Sequence, residues 1–104
     1  MLLESAQGHG GSISFDVIGK MRTLVPAAKL YAWCDRADPF AEGRVHAKVA
    51  VADDRMCFVT SANLTGHAME KNMEAGVLIS GGRIGKLLSD HLRSLVATKT
   101  VSPV

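Results

Sequence analysis

Six side chains within thirty residues carry the chemistry this chain can do. His46 stands two residues before Lys48. Asp53 follows after four residues, Thr60-Ser61-Ala62-Asn63 after six more, and Glu74 closes the set. A phosphodiester is anionic and resists attack, so a catalyst must neutralise its oxygens and supply a nucleophile. Lys48 offers positive charge, and Ser61 and Asn63 offer directed hydrogen-bond donors. His46, in its neutral form, can attack phosphorus through a ring nitrogen and form a phosphohistidine. A carboxylate on the other ring nitrogen would hold the tautomer and stabilise the imidazolium. A lone histidine on a strand is usually an ordinary core or surface residue, and H-x-K pairs arise by chance. It is the joint spacing, in a strand–turn–strand setting, that points to phosphodiester cleavage.

The elements that must position these groups follow from hydrophobic period and turn chemistry. Arg44 to Ala52 reads as a strand, Asp53-Asp54-Arg55 as a turn, and Met56 to Ser61 as the returning strand. Alternation puts Val45, Ala47, Val49 and Val51 on the core face. His46 and Lys48 fall on the other face, beside small Ala50 and Ala52 that leave room for a ligand. Ser61 ends the hairpin and Asn63 lies two residues on, so both can turn toward the same pocket. Upstream, Leu2-Leu3 reads as the end of a strand and Gly8 to Gly11 as a flexible loop. Ser12 or Ser14 caps a helix carrying Phe15, Ile18, Met21 and Val25, which Pro26 ends. Lys29 to Trp33 is a short strand, and Cys34 to Gly43 a polar loop of a length that is often functional. Downstream, a loop at Ser61 to Gly66 precedes a short helix from Thr65 to about Lys71. Met73 to Ile79 is a strand that Gly81-Gly82 breaks. Ile84, Leu87, Leu88, Leu92, Leu95 and Val96 mark a final amphipathic helix. The fold class is α/β, a mixed sheet flanked by helices, because the central hairpin is antiparallel.

Composition bounds the rest. The 104 residues make one domain, or part of one, with 47% hydrophobic and 21% charged residues, a globular rather than a disordered balance. A net charge of +2 permits a polyanionic partner without requiring one. No apolar run approaches a membrane span, and Met1 to Ser5 lacks the basic flank and long apolar core of a secretory signal. Cys34 and Cys57 lack C-x-x-C spacing and suit reduced thiols, so a cytoplasmic location is expected, with Cys57 as a small core residue. No His or Cys pair has metal-ligand spacing, and no metal or cofactor is expected. His91 is read on the inner side of the last helix and His67 as solvent-exposed, while His9 has no setting of its own. Tyr31 and Trp33 read as core rather than as stacking platforms. The polar face of the last helix mixes Arg83, Lys86, Asp90 and Arg93, which suits a core-facing helix more than a membrane-surface one.

The spacing of the chemical set resembles the HKD motif of the phospholipase D superfamily. From Leu3-Glu4-Ser5 to Pro103-Val104 the chain is also similar to the C-terminal half of the phospholipase D-like protein of DISARM phage-defence systems. The segments that carry this are Phe15-Asp16, Leu30-Tyr31-Ala32-Trp33, the stretches 45–53 and 59–66, and Asn72-Met73-Glu74-Ala75-Gly76-Val77-Leu78. The resemblance implies that residues 1–104 are a catalytic half-domain, one half of a phospholipase D-like fold, working without metal through a phosphohistidine. It implies His46 as nucleophile, or as the acid of the partner half. Lys48 and Asn63 match the phosphate-binding pair, and Ser61 the neighbouring hydroxyl. Glu74 matches the acid that orients the histidine. Asp53 matches the motif's aspartate, and its place at a strand end suits tying down the turn. Thr60 stands where members often carry glycine.

General acid–base chemistry then needs a second histidine. The second half is expected either as another copy in a symmetric homodimer or as a missing N-terminal half. The start of the chain inside an apparent strand favours the latter. An apolar-rimmed interface is expected around His46 and Lys48. The implied activity is a nuclease-like phosphodiesterase of phage defence acting on nucleic acid, with other defence proteins as further partners. The alternatives are a phospholipid phosphodiesterase and a non-catalytic nucleic-acid-binding or assembly module.

Overall fold

The computed structural model describes residues 1–4, 16–33, 36–63 and 71–104. Among them, six strands form one mixed sheet in the order β5-β4-β3-β1-β2-β6. The strands are β1 (Leu2–Leu3), β2 (Tyr31–Ala32), β3 (Lys48–Ala52), β4 (Met56–Thr60), β5 (Gly76–Ser80) and β6 (Ser102–Pro103), and the helices are α1 (Val17–Leu24) and α2 (Ile84–Ala97). β1 runs parallel to β2, with α1 between them in sequence, and every other pairing is antiparallel. The α/β class and the mixed sheet expected from the pattern are what the chain adopts.

The β3–β4 hairpin forms because β-branched and small residues fill both strands and the turn tolerates its backbone. Val49 pairs with Val59 and Val51 with Cys57. Asp53 and Asp54 take positive φ, 55° and 52°. Asp accepts that region better than most side chains, and two such residues match the twist of a hairpin. The Arg55 N–H closes the turn on the Ala52 carbonyl at 3.1 Å. β3 is shorter than the strand read from the sequence. It begins at Lys48, and residues 44–47 approach it as irregular chain. Strict alternation of burial therefore fails on both sides of Lys48: Val45 and Val49 are buried, but Ala47 is exposed and Val51 half-buried.

α1 is capped by Asp16, whose carboxylate accepts from the Gly19 N–H at 2.9 Å. Ser12 and Ser14 lie outside the described residues, as do Phe15, the Gly8–Gly11 loop, Cys34, His9, His67 and nearly all of the short helix expected from Thr65. The helix stops at Leu24, ahead of Pro26, because a residue before proline is pushed out of helical conformation. Its Val17 and Ile18 pack with Leu3, Leu30 and Ala32 into the buried cluster, with Met1, Met21 and Ala28 at its edge.

α2 packs across β3, β4 and β5. Gly81 and Gly82, at φ 77° and 67°, deliver the chain into it. His91 is exposed on this helix rather than inward-facing, because the inward stripe centres on Gly85 and Ser89. Cys57 is buried as expected, and Tyr31 and Trp33 are half-buried. β6 was not legible as a strand. It adds two residues beside β2, with Pro103 on an outer strand, where proline is tolerated. On the opposite edge, β5 leaves Val77 and Leu78 exposed.

Gly85 lets α2 approach the hairpin turn. A Cβ there would lie 2.9 Å from the Arg55 carbonyl carbon and 3.0 Å from the Asp54 carbonyl oxygen. Gly85→Ala gains about 1 kcal/mol of helix propensity but forces backbone apart at a cost of about 1–3 kcal/mol. Net destabilisation is expected, read as a lower urea midpoint. An unchanged or raised midpoint would contradict the tight approach.

Candidate active site

The irregular segment 44–47, the start of β3, the end of β4 and the chain before β5 converge on one open cavity of about 320 Å³. Glu4, Arg44, Val45, His46, Lys48, Ser61, Asn63 and Glu74 line it. Register explains the convergence: Lys48 pairs with Thr60 and Thr60 with Gly76, so Ser61 and Glu74 emerge at the same end of the sheet as Lys48. Five residues picked out by spacing thus meet in space. Asp53 does not join them. It sits in the hairpin turn at the other end of β3, about 16 Å along a strand of this length, where it shapes the turn and cannot touch a ligand in the cavity.

Lys48 is not the open-faced lysine that alternation suggested. Only 4% of it is exposed. Its ammonium donates to the His46 carbonyl at 2.9 Å and the Ser61 carbonyl at 3.0 Å, so one cation ties the histidine's own backbone to the end of β4. Burial lowers its pKa below the ordinary lysine value, and the charges of Glu4 and Glu74 oppose that shift. Any step needing the ammonium should therefore fail on the alkaline side below the usual lysine pKa of about 10.4. The sign for stability follows. The folded chain sheds this proton before the unfolded chain does, so within that window stability rises with pH while activity falls. A rate profile whose alkaline limb lay at or above the ordinary lysine value would contradict the buried ammonium.

Glu74 takes a hydrogen bond from the Ser61 hydroxyl at 2.5 Å and another from the Asn72 amide at 3.3 Å. The Ser61 bond is the main reason its pKa lies below the usual glutamate value. Ser61 also accepts from the Ala75 N–H at 3.2 Å, which fastens the two segments together. In this state the Glu74 carboxylate engages Ser61 and Asn72 rather than the His46 ring. His46 is exposed to the cavity. Asn63 contributes an oddity: its Oδ1 is buried without a hydrogen-bond partner among the described residues. Buried polar atoms are nearly always satisfied. This one is an acceptor, so a phosphate oxygen can pair with Asn63 only through its Nδ2 amide.

Two cavity features escaped the sequence. Arg44 adds an exposed cation at the rim. Glu4 is buried at the back, where it accepts from the Arg36 guanidinium at 2.5 Å and from the Val45 N–H at 2.6 Å. Neither Glu4 nor Arg36 has any spacing relation to the H-x-K segment. Thr60, at the position where glycine was noted as frequent, is buried, accepts from the Ala62 N–H at 3.1 Å and donates to the Ala75 carbonyl at 3.3 Å. It is part of the scaffold under Ser61.

Among the described residues, no group of three His, Cys, Asp or Glu side chains gathers as a metal site, and no helix is long and apolar enough to cross a membrane. A family profile described as cardiolipin synthase, PLD-like domain, matches residues 16–96. That span holds every cavity residue except Glu4. Neither the curated proteins nor the solved structures include a match.

Proposed function

The chain belongs to the phospholipase D-like domain family, and from that premise we propose that it is one half-site of a phosphodiesterase acting on nucleic acid through a phosphohistidine. Membership in the family points to phosphodiester chemistry in general. The observation that carries the mechanism is the buried Lys48 ammonium, held beside exposed His46 and Asn63 in one cavity. A phosphate entering there meets a cation that is itself buried, so that bond counts for more than the same bond in water. The Asn63 Nδ2 amide orients its oxygens, and the Ser61 hydroxyl, which donates to Glu74, holds that carboxylate at the cavity.

The His46 ring nitrogen forms a bond to phosphorus as the ester P–O bond breaks. The leaving oxygen takes its proton from a second histidine. Water then attacks phosphorus, gives its proton to that second histidine and releases His46. The second histidine belongs to another half, either a second copy of this chain or a partner half. Nucleic acid is favoured by the mildly basic balance and by Arg44 at the rim. A role in phage defence is the finer part of the proposal, and only the resemblance read in the sequence segments 45–53 and 59–66 supports it.

The family's description names cardiolipin synthase, which favours a second reading: head-group exchange on a phospholipid. The deciding experiment incubates the chain, in EDTA, with labelled single- and double-stranded DNA and, separately, with vesicles containing phosphatidylglycerol. DNA cleavage supports the first reading and lipid turnover the second. DNA binding with neither reaction overturns the reading in which two copies of this chain complete the site, and marks either a half that needs a different partner or a non-catalytic module.

A further inference from the structure

We infer that the buried Glu4–Arg36 pair is a positioning device that sets the main chain carrying His46. The inference rests on His46 being the reacting residue of the site proposed above. β3 begins only at Lys48, so the chain at 44–47 lies outside the regular ladder. What fixes it is a set of side-chain bonds from elsewhere. The two Glu4 carboxylate oxygens divide the work: Oε2 accepts from the Val45 N–H at 2.6 Å, and Oε1 accepts from Arg36 Nη2 at 2.5 Å. The side chains of Arg36 and Glu4 are only 6% and 2% exposed.

Arg36 is itself immobilised. Its Nε donates to the Trp33 carbonyl and its Nη1 to the Gly43 carbonyl, both at 2.6 Å. Its guanidinium carbon lies 5.2 Å from the Trp33 ring centroid, and Gly43 nestles where a Cβ would strike that ring at 2.7 Å. Arg36 thus grips the chain at Gly43, Glu4 grips it at Val45, and Lys48 grips the His46 carbonyl from the other side. A planar guanidinium satisfied on three sides and a carboxylate satisfied on both oxygens form a rigid strut from the end of β1 to the residue before the histidine. A buried ion pair adds little net stability over apolar residues of similar size. Its use here is geometric: catalytic groups displaced by about 1 Å can lose about 100-fold in rate.

The test uses the full chain with bis(4-nitrophenyl) phosphate as the phosphodiester probe. Two variants are compared: Glu4→Gln, and the paired replacement Glu4→Leu with Arg36→Met. In Glu4→Gln, amide exchange at Val45 should quicken while exchange at Cys57 and Phe58 keeps its wild-type rate. Its kcat should fall about tenfold or more, with KM within about twofold. The paired variant leaves no unpaired buried charge, so its melting temperature should recover. Its kcat should not, because there the Val45 N–H has lost its acceptor outright. Recovery of both together would show a purely structural pair and overturn the inference. So would unchanged Val45 exchange in the folded paired variant. If Glu4→Gln fails to fold, the paired variant decides alone, by Val45 exchange and kcat. A wild-type chain inactive on this probe counts against two copies of this chain completing the site, and Val45 exchange still decides the positioning claim.

Discussion

His46→Asn should abolish turnover while leaving the protein as stable as before. The ring is exposed to the cavity, and its removal breaks no packing, so the melting temperature should move by no more than about 0.5 kcal/mol of stability corresponds to. The chemical loss is of another order. Asn keeps a polar group near the same place but cannot form the bond to phosphorus. Losing a nucleophile that acts as part of a unit costs about 10⁴-fold or more in rate. The check is twofold: steady-state turnover, and acid-stable or base-stable label left on the protein after a quench with radiolabelled substrate. Phosphohistidine survives base and is lost in acid. A variant retaining wild-type rate, or retaining base-stable label, would remove His46 from the mechanism.

Lys48→Met is the second large effect, and it divides differently. Methionine fills much of the same volume, and the change relieves the burial of an ammonium. It also leaves the His46 and Ser61 carbonyls without their donor. Orphaned buried acceptors cost about 1–3 kcal/mol, so a modest net loss of stability is expected. Activity should fall about 10²–10³-fold, the usual result of deleting one preorganised donor to a developing charge. Binding of inorganic phosphate should weaken alongside. If phosphate binding and turnover were both unchanged in a folded Lys48→Met protein, the lysine would be a structural cross-brace alone.

Both predictions come from residues that spacing exposed, and the reason is physical. His46, Lys48, Ser61, Asn63 and Glu74 are linked through a hairpin and the strand beside it, and antiparallel register converts sequence offset directly into proximity. The final helix was legible for the same kind of reason, a period sustained from Ile84 to Val96. What spacing could not convey was which groups turn inward where the ladder gives out. Lys48 was placed on an open face because alternation gives a side chain's face but not whether irregular chain at 44–47 and the end of β4 folds over it. Glu4 and Arg36 were invisible because an ion pair across thirty-two residues obeys no period. The cap of α1 was missed at Asp16 because several serines upstream were equally suitable on residue type. β6 was missed because two residues, one of them proline, carry no strand signal of their own.

The setting of Lys48 has a consequence for how ionic strength acts on the protein. Its hydrogen-bond partners are main-chain carbonyls rather than carboxylates, so the positive charge stays available to a ligand, and its burial shields it from dissolved ions. Arg44, exposed at the rim, has no such shelter. Mobile ions screen exposed charges over about 8–10 Å at physiological concentrations and buried ones far less. Raising sodium chloride should therefore weaken the capture of an anionic substrate much more than it slows the step that follows capture.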